Sequence, residues 1–282
     1  LPNGFQLVKG AGGGDPIIAT AKGKFWIPLH FWFCRNPGLA LPLIALQYHE
    51  VKVKITFEDL NKLIMEDDNG DFNADTVTVT DTNKGTDNTF ELWCDYIYLD
   101  TDERRRFAQV SHEYLIEQLQ FENKSAASNM ELNFNHPVKE LIWAGVRTDT
   151  VSNNDDASGT VANIFFRDVL KSDDDNKFQL KLNGHDRFAA RNYKYFTRTQ
   201  IWEHHSGYGC TETGDTIAVY SFALKPEEHQ PSGSCNFSRI DNAHLIRSGT
   251  GTGSSDKALN VYAVNYNVLR IMSGMGGLAY SN

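Results

Sequence analysis

Residues 224–242, LKPEEHQPSGSCNFSRIDN, gather side chains that could do chemistry: two adjacent carboxylates, a histidine and a cysteine. A carboxylate pair such as Glu227–Glu228 can serve in glycoside hydrolysis, and the thiol of Cys235 can serve as a nucleophile. Hydrolysis needs a cleft and a nucleophile needs a base partner, and the surrounding sequence marks neither. The chain also has no G-x-S-x-G nucleophile elbow. No catalytic residue is therefore predicted, and the protein is not expected to be an enzyme.

The same stretch has the composition of a turn that joins two strands. Pro226 and Pro231 fix φ and remove backbone donors, which ends the strand before them. Gly233 permits a tight reversal, and residues 236–242 are expected to begin the partner strand. The stretch is therefore interpreted as structural.

No calcium site and no phosphate-binding loop are predicted. The acidic run 67–75 resembles a calcium loop, but an EF-hand requires Gly at its sixth position and Glu at its twelfth. Those positions hold Phe72 and Thr78. The glycine run 10–14 lacks the Lys-Ser/Thr ending of a phosphate loop, so no cofactor is predicted either.

The nine histidines do not show the spacing of a transition-metal site. A metal site inside a jelly-roll barrel needs two histidines one residue apart on a strand, with a carboxylate and a third histidine nearby. His204 and His205 are adjacent, so on a strand they would face opposite sides. Other histidines lie isolated in the sequence: His30, His49, His112 and His136.

Two sequons for N-glycosylation occur in the chain, at Asn123 and at Asn236. Asn123 is expected in a polar turn, where it is the possible glycosylation site. Asn236 is expected in the strand after Gly233, where burial would prevent modification.

The overall charge argues against nucleic acid as a direct partner. The net charge is −9 and the sequence pI is near 5.5, whereas binding to a phosphate backbone requires clustered Lys and Arg. The dense basic run 104–106 is flanked by Asp100, Asp102 and Glu103. No apolar run reaches the roughly 18 residues of a membrane span, and no signal peptide is visible.

The four cysteines lie far apart and form no C-x-x-C pair. This density is too low for a disulfide scaffold, so free buried thiols and a reducing, intracellular place of folding are predicted. The cysteines are Cys34, Cys94, Cys210 and Cys235.

Alternation of apolar and polar residues dominates the chain and predicts strands. Residues 51–57 alternate cleanly, whereas residues 25–34 and 91–100 are apolar on both sets and are expected to be covered on both faces. Residues 259–272 are predicted to form a final core strand. Two further strands are predicted at 130–135, with Met130, Leu132 and Phe134 inward, and at 218–224, with Ala218, Tyr220, Phe222 and Leu224 on one side.

Helix signals are few. Residues 101–109, with Thr101 or Asp102 as the N-cap, predict one short helix, and residues 57–66 could form a second. Long polar stretches predict exposed loops at 66–89, 146–160 and 197–215. Short strands separated by long polar loops predict an all-β fold, a β-sandwich or jelly roll.

The stretch FALKPEEHQPSGSCNFSRIDNA, residues 222–243, closely resembles a signature of the major capsid proteins of nucleocytoplasmic large DNA viruses, of the chlorella-virus or phycodnavirus type. Further stretches resemble the same family in the same order and span the chain from about residue 25 to its end. They are residues 36–53, 95–121, 132–141, 182–191 and 259–282.

The resemblance implies two jelly rolls in tandem, each a β-sandwich. Residues 1–100 would be the later strands of the first jelly roll, whose N-terminal part is missing. Residues 101–111 would be the linker with its short helix, and residues 112–282 the complete second jelly roll. The loops at 146–160 and 197–215 would lie on the outer surface.

The resemblance also implies a structural subunit of a large icosahedral DNA virus, placed in the outer capsid shell of the virion and assembled in the host cytoplasm. Its partners would be copies of itself, in a homotrimeric capsomer and in lateral capsomer contacts, together with minor capsid proteins. A minor capsid or penton-type jelly-roll protein is one alternative. A carbohydrate-binding jelly-roll module or glycosidase domain is another, and its aromatic platform would be Trp202 and Tyr208 near His204–His205.

Overall fold

The computed structural model describes residues 26–56, 90–125, 127–145, 176–206, 217–249 and 258–280. Within these ranges ten strands form two antiparallel sheets. The strands are β1 (His112–Lys124), β2 (Asn129–Glu131), β3 (Pro137–Gly145), β4 (Lys177–Leu182), β5 (His185–Asn192), β6 (Ile217–Ser221), β7 (Cys235–Asn236), β8 (Ala243–Ser248), β9 (Leu259–Met272) and β10 (Met275–Leu278).

Two α-helices accompany the strands in the described ranges. They are α1 (Thr101–Gln109) and α2 (Gln200–His204), and a π-helical turn at Tyr195–Thr199 leads into α2. Single turns of 3₁₀-helix lie at Trp32–Cys34, Pro37–Leu39, Leu43–Ala45 and Phe237–Arg239.

The larger sheet has the order β1-β9-β3-β6, with β10 paired to β9 and β7 paired to β3. The smaller sheet has the order β2-β8-β4-β5. The chain passes repeatedly from one sheet to the other, so each sheet is built from strands distant in sequence. This is a jelly-roll sandwich, and the prediction of an all-β jelly-roll fold is confirmed.

Apolar side chains from both sheets fill the space between them. Trp143 of β3 lies at the centre, with its ring 5.4 Å from that of Phe178 and 5.1 Å from that of Phe196. The predicted strand at 259–272 is confirmed as β9. Residues 130–135 are hydrogen-bonded as a strand only through residue 131, but their three predicted inward side chains are buried: Met130, Leu132 and Phe134.

The predicted strand at 218–224 is shorter than expected. It ends at Ser221, because the amides of Phe222 and Ala223 both donate to the carbonyl oxygen of Lys139 and do not continue the ladder. Leu224 is consequently exposed and not aligned with Ala218. The partner strand predicted at 236–242 is also wrong in extent, since β7 ends at Asn236 and β8 begins at Ala243.

The strands predicted at 25–34, 51–57 and 91–100 are wrong for the residues that the structure describes. Residues 26–34, 51–56 and 90–100 contain one 3₁₀ turn and no strand. A strand needs a neighbour for its backbone donors and acceptors, and no described segment pairs with these residues.

The N-terminal described residues nevertheless pack against one end of the larger sheet. Ala45 and Leu46 cover Ile271 of β9. The amide of Tyr48 donates to the carbonyl oxygen of Gly274, 2.9 Å away. Residues 26–56 and 90–100 are called the N-terminal segment below.

The short helix predicted at 101–109 is confirmed with the same bounds, but its N-cap is Asp100 and neither Thr101 nor Asp102. Oδ1 of Asp100 accepts from the amides of Asp102 and Glu103 at 3.0 and 2.9 Å. Oε2 of Glu103 accepts in return from the amide of Asp100. This reciprocal capping box satisfies donors that would otherwise be unpaired at the helix start.

The exposed loop predicted at 197–215 is wrong over residues 197–206, which are helical through His204. Tyr193 and Phe196, at the start of this helical segment, are fully buried in the core. Their burial draws the segment onto the sandwich. The predicted helix at 57–66 and the loops at 66–89, 146–160 and 207–215 lie outside the described residues.

None of the helices in the described ranges combines the length and apolar character needed to cross a bilayer.

Candidate functional site

A buried cluster of charged side chains lies on the outer face of the larger sheet, the face turned away from the core. Lys139 is only 2% exposed, and its Nζ lies 2.6 Å from Oε1 of Glu117. The same Nζ donates to the carbonyl oxygen of Pro226 at 2.6 Å. The second carboxylate oxygen of Glu117 lies 2.6 Å from Nη1 of Arg35. The cluster therefore joins β1 and β3 to the turn at Pro226 and to the N-terminal segment.

A second branch of the cluster is centred on His205, the residue that follows α2. Its Nδ1 lies 3.3 Å from Oε1 of Glu227. Its Nε2 lies 3.0 Å from Oε2 of Glu140, close enough for an ion pair. Ser206 donates from both its amide and its hydroxyl to Oε2 of Glu227. The branch connects the end of α2 to β3 and to the turn.

The His205 branch favours the charged form of each partner. Burial opposes the charged form of His205, but its contacts with Glu140 and Glu227 outweigh burial and raise its pKa above the ordinary value. Burial likewise acts to raise the pKa of Glu227, but hydrogen bonds from Ser206 and the attraction of His205 lower it overall. Both shifts favour an ion pair between the imidazolium of His205 and its carboxylate neighbours.

Tyr266 of β9 lies between the two branches, with its ring centre 5.7 Å from Nζ of Lys139. Burial raises the pKa of its phenol, and the negative charges of Glu117 and Glu140 raise it further. With His205 protonated, the cluster sets three cations against three carboxylates. Balanced pairs of this kind suit a structural role, because each buried charge already has a partner.

The described residues bring no three His, Cys, Asp or Glu side chains together with metal-site spacing. Of the histidines considered for such a site, Nδ1 of His204 lies 3.1 Å from the carbonyl oxygen of Leu224 and Nε2 of His112 lies 2.8 Å from that of Phe107.

The first half of the chemistry-bearing stretch of the sequence lies in the 222–234 turn, whose start is fastened to β3. At its start, Phe222 and Ala223 donate to Lys139. At its far side, Gly233 has φ +146°, and a Cβ there would lie 2.7 Å from the carbonyl oxygen of Phe222. Glycine is required here because both the backbone angle and the space exclude a side chain. The interpretation of this stretch as structural agrees with the geometry.

The outer face of the larger sheet also carries an apolar patch, called the outer patch. Cross-strand pairing sets Leu119 opposite Val264 and Phe121 opposite Tyr262, and the Phe121 and Tyr262 rings are 5.0 Å apart. Leu119 is 63% exposed, and Phe121 is exposed as well. Exposed apolar side chains grouped in this way are typical of interaction surfaces.

The N-terminal segment presents a second set of exposed apolar side chains. Tyr98, for example, is 92% exposed, and Trp93 is 67% exposed with its ring edge against that of Trp26. The exposed side chains of this set are Trp26, Ile27, Phe31, Leu43, Tyr48, Val51, Val53, Ile55, Phe90, Leu92, Trp93, Tyr96, Ile97 and Tyr98.

The structure differs from the prediction at both glycosylation sequons. Asn123 is in β1 and not in a polar turn, and its exposed side chain donates to Oδ1 of Asn260 at 2.8 Å. Its modification stays a prediction. Asn236 is exposed and not buried, and its Oδ1 accepts from the amide of Ser238.

The predicted burial of the cysteines is wrong for Cys34 and Cys94, which are exposed, whereas Cys235 is half-buried; all three are free. Cys210 lies outside the described residues. Trp202 is 82% exposed, but its predicted partner in an aromatic platform, Tyr208, also lies outside them.

The sequence did not reveal the charged cluster. Lys139 occupies a β-bulge between Val138 and Glu140, so the simple alternation of β3 does not show which way it points. Its partner Glu117 carried one available signal, since this acid directly follows the apolar residues Leu115 and Ile116 in the sequence.

Comparison with protein families identifies the family to which the chain belongs. Residues 103–277 match the family of large eukaryotic DNA virus major capsid proteins, and residues 15–100 match the family of major capsid protein N-termini. The chain belongs to this capsid protein family. The resemblance noted in the sequence is thereby confirmed, and the family is one of structural proteins, as predicted, and not of enzymes.

Individual members of the capsid protein family are similar over almost the whole chain. The major capsid protein of Pyramimonas orientalis virus is 48% identical over 95% of this chain and 64% of its own length. That of Paramecium bursaria Chlorella virus 1 is 42% identical over 94% of this chain and 68% of its own length. The chain thus spans about two thirds of the length of these relatives.

Solved structures of capsid proteins are similar as well. The crystal structure of PBCV-1 VP54, fitted into a cryo-EM reconstruction of the virophage Sputnik, matches with a TM-score of 0.68 at 38% identity, over 92% of this chain and 70% of that chain. The quasi-atomic model of the PBCV-1 virus capsid matches with a TM-score of 0.66 at 36% identity and the same coverage.

Proposed function

We propose that this protein is the major building block of the outer shell of a large icosahedral DNA virus. Three copies would form a capsomer of near-hexagonal outline, and capsomers would associate laterally and with minor capsid proteins, after assembly in the host cytoplasm. The observation that carries this proposal is the similarity over 92% of the chain to a protein solved as part of the PBCV-1 virus capsid.

The surfaces of the chain support self-association. Permanent protein interfaces bury on the order of 2,000 Å² or more and have an apolar centre. The outer patch lies on a rigid sheet, so it can present a fixed apolar surface to a second copy. The charges of the cluster are balanced and mostly buried, so the outer patch is the part of that face that can bind a second copy.

We further propose that residues 1–100 belong to the later part of a first jelly roll, residues 101–111 to a linker and residues 112–282 to a second jelly roll. Three observations support this division. The two family matches meet between residues 100 and 103, α1 occupies Thr101–Gln109, and β1 begins at His112.

The mass of the full-length protein in solution tests the capsomer. Size-exclusion chromatography with light scattering should give the mass of three chains. The double variant Leu119→Glu/Phe121→Glu should shift this mass toward one chain, because it places two charges in the outer patch. Both side chains are exposed, so the variant should retain its thermal unfolding midpoint within a few degrees.

Ile217→Glu provides the matched control. Ile217 is an exposed apolar residue of β6, at the opposite edge of the same sheet. The Ile217→Glu variant should leave the trimer intact. A monomeric wild-type protein would contradict the capsomer, and a trimeric double variant would contradict the role of the outer patch.

A further inference from the structure

We propose that His205 is a proton-operated latch that holds the far side of the 222–234 turn against the larger sheet. In the closed state its ring bridges Glu140 of β3 and Glu227 of the turn. Loss of the ring proton would open this bridge. The latch is a property of the single chain and stands whether or not copies assemble.

The geometry makes His205 the only described side chain that contacts both Glu140 and Glu227. Glu140 is 7% exposed, so without a cationic neighbour its carboxylate would be a poorly solvated charge. Glu227 is exposed on one side and can rotate into solvent when its partner loses charge. The sheet side of the latch is therefore fixed, and the turn side is free to move.

The turn has two kinds of fastening, and only one depends on a proton. Nζ of Lys139 donates to the carbonyl oxygen of Pro226, and the amides of Phe222 and Ala223 donate to the carbonyl oxygen of Lys139. These bonds do not involve His205. The attraction between Glu227 and His205 depends on the imidazolium charge, and it helps to hold in place the carboxylate that accepts from Ser206. Opening should therefore be confined to the part of the turn beyond Pro226.

The other charged groups around His205 do not replace its role. Glu228 of the turn is paired with Lys225 at 2.9 Å, and Glu117 of β1 is shared between Lys139 and Arg35. On the segment of His205 itself, His204 lies 3.9 Å from Glu203. The groups that face His205 directly are Glu140 and Glu227.

The sign of the pH effect follows from the two pKa directions. Because the folded pKa of His205 is raised above 6.5, its stabilising contribution is complete below that value and is lost as pH rises through the folded pKa. The pKa of Glu227 is lowered below 4.5, so its contribution is complete above that value and is lost as pH falls through the folded pKa. The latch is closed most firmly between pH 4.5 and pH 6.5, the ordinary pKa values of Glu227 and His205. Above this range it opens as pH rises through the folded pKa of His205.

Hydrogen–deuterium exchange on the full-length protein tests the latch. Exchange is measured from about pH 6 to about pH 9 and corrected for the intrinsic pH dependence of each amide. The amides of Ser206 and Glu228 should lose protection several-fold as pH rises. The amides of Phe222 and Ala223 should keep theirs and serve as an internal reference.

The variant His205→Gln should remove this pH dependence and leave the amide of Ser206 weakly protected throughout. His185→Gln is the matched control, since His185 is an exposed histidine at the start of β5, and it should behave as the wild type. If His205→Gln fails to fold, Glu227→Gln removes the turn side of the latch alone and should give the same flat profile. Protection of Ser206 and Glu228 that is independent of pH in the wild type would overturn the proposal, as would a pH dependence that survives in His205→Gln.

A direct titration of His205 tests whether its pKa is raised in the folded protein. The ring signals of His205, assigned by comparison with His205→Gln in protein with labelled histidine, should titrate above the ordinary value, because two carboxylates stabilise the imidazolium. Titration at or below the ordinary value would overturn the latch even if the turn were mobile.

Discussion

The jelly-roll sandwich and the N-terminal segment have the same sequence pattern but different structures. In the sandwich, alternating residues such as those of β9 lie in hydrogen-bonded strands with one face buried. In the N-terminal segment, residues 51–56 alternate as well and residues 91–100 are apolar on both faces, but they form no strand and expose their large side chains. Alternation therefore specifies which side chains share a face, whereas a strand also requires a neighbouring strand to pair with.

The strongest test of this contrast replaces one tryptophan from each region. Trp143→Ala should lower the free energy of unfolding by about 3–5 kcal/mol, because it empties a site between Phe178 and Phe196 in the core. Trp93→Ala should lower it by about 1 kcal/mol or less, since Trp93 is largely exposed. Urea denaturation followed by far-UV circular dichroism measures both. Equal losses would show that Trp93 is buried in the native protein and that the two regions do not differ in this way.

A smaller effect is expected from separating the two ion pairs that share Glu117. Glu117→Gln should cost about 3 kcal/mol, because it leaves the buried Nζ of Lys139 without its carboxylate. Arg35→Ala should cost about 1 kcal/mol or less, because Arg35 is partly exposed and reaches the cluster from the N-terminal segment. Thermal unfolding of both variants gives the comparison. If Arg35→Ala lowered the stability as much as Glu117→Gln does, the two regions would unfold as one cooperative unit.

The smallest effect concerns the helix between the two regions. Asp100→Ala removes the side-chain acceptor of the capping box and should cost about 1 kcal/mol. Asp102→Ala, at an almost fully exposed side chain in the same helical turn, is the control and should cost a few tenths of that. Proteolysis within residues 101–109 should be faster for Asp100→Ala alone. Equal cleavage of the two variants would mean that the cap does not hold α1 in place.

The sequence predicted the sandwich well where apolar alternation coincided with a pairing partner. The strand at 259–272, the helix at 101–109 and the burial of Met130, Leu132 and Phe134 were all predicted from local patterns. The helical segment around Phe196 was missed, because its burial depends on contact with Trp143, a residue distant in sequence.

The charged cluster could not be predicted for a similar reason. It unites six residues spread over most of the chain, and local sequence says nothing of their meeting: Arg35, Glu117, Lys139, Glu140, His205 and Glu227. The turn itself was predicted, because Pro226, Pro231 and Gly233 act through their own backbone angles. What the turn is fastened to was visible only in three dimensions.

The pairing of β1 with β9 has a consequence for how the protein is made. The register joins His112 to Ile271 and Lys124 to Leu259, so β9, the central partner of β1 and β3, leaves the ribosome only after strands β1 to β8. Until then the apolar faces of the earlier strands have no sheet to complete, and such long-range pairing is slow and prone to aggregation. During synthesis the nascent chain should therefore depend on chaperones, and a ribosome stalled before residue 259 should display a chain that proteases digest readily.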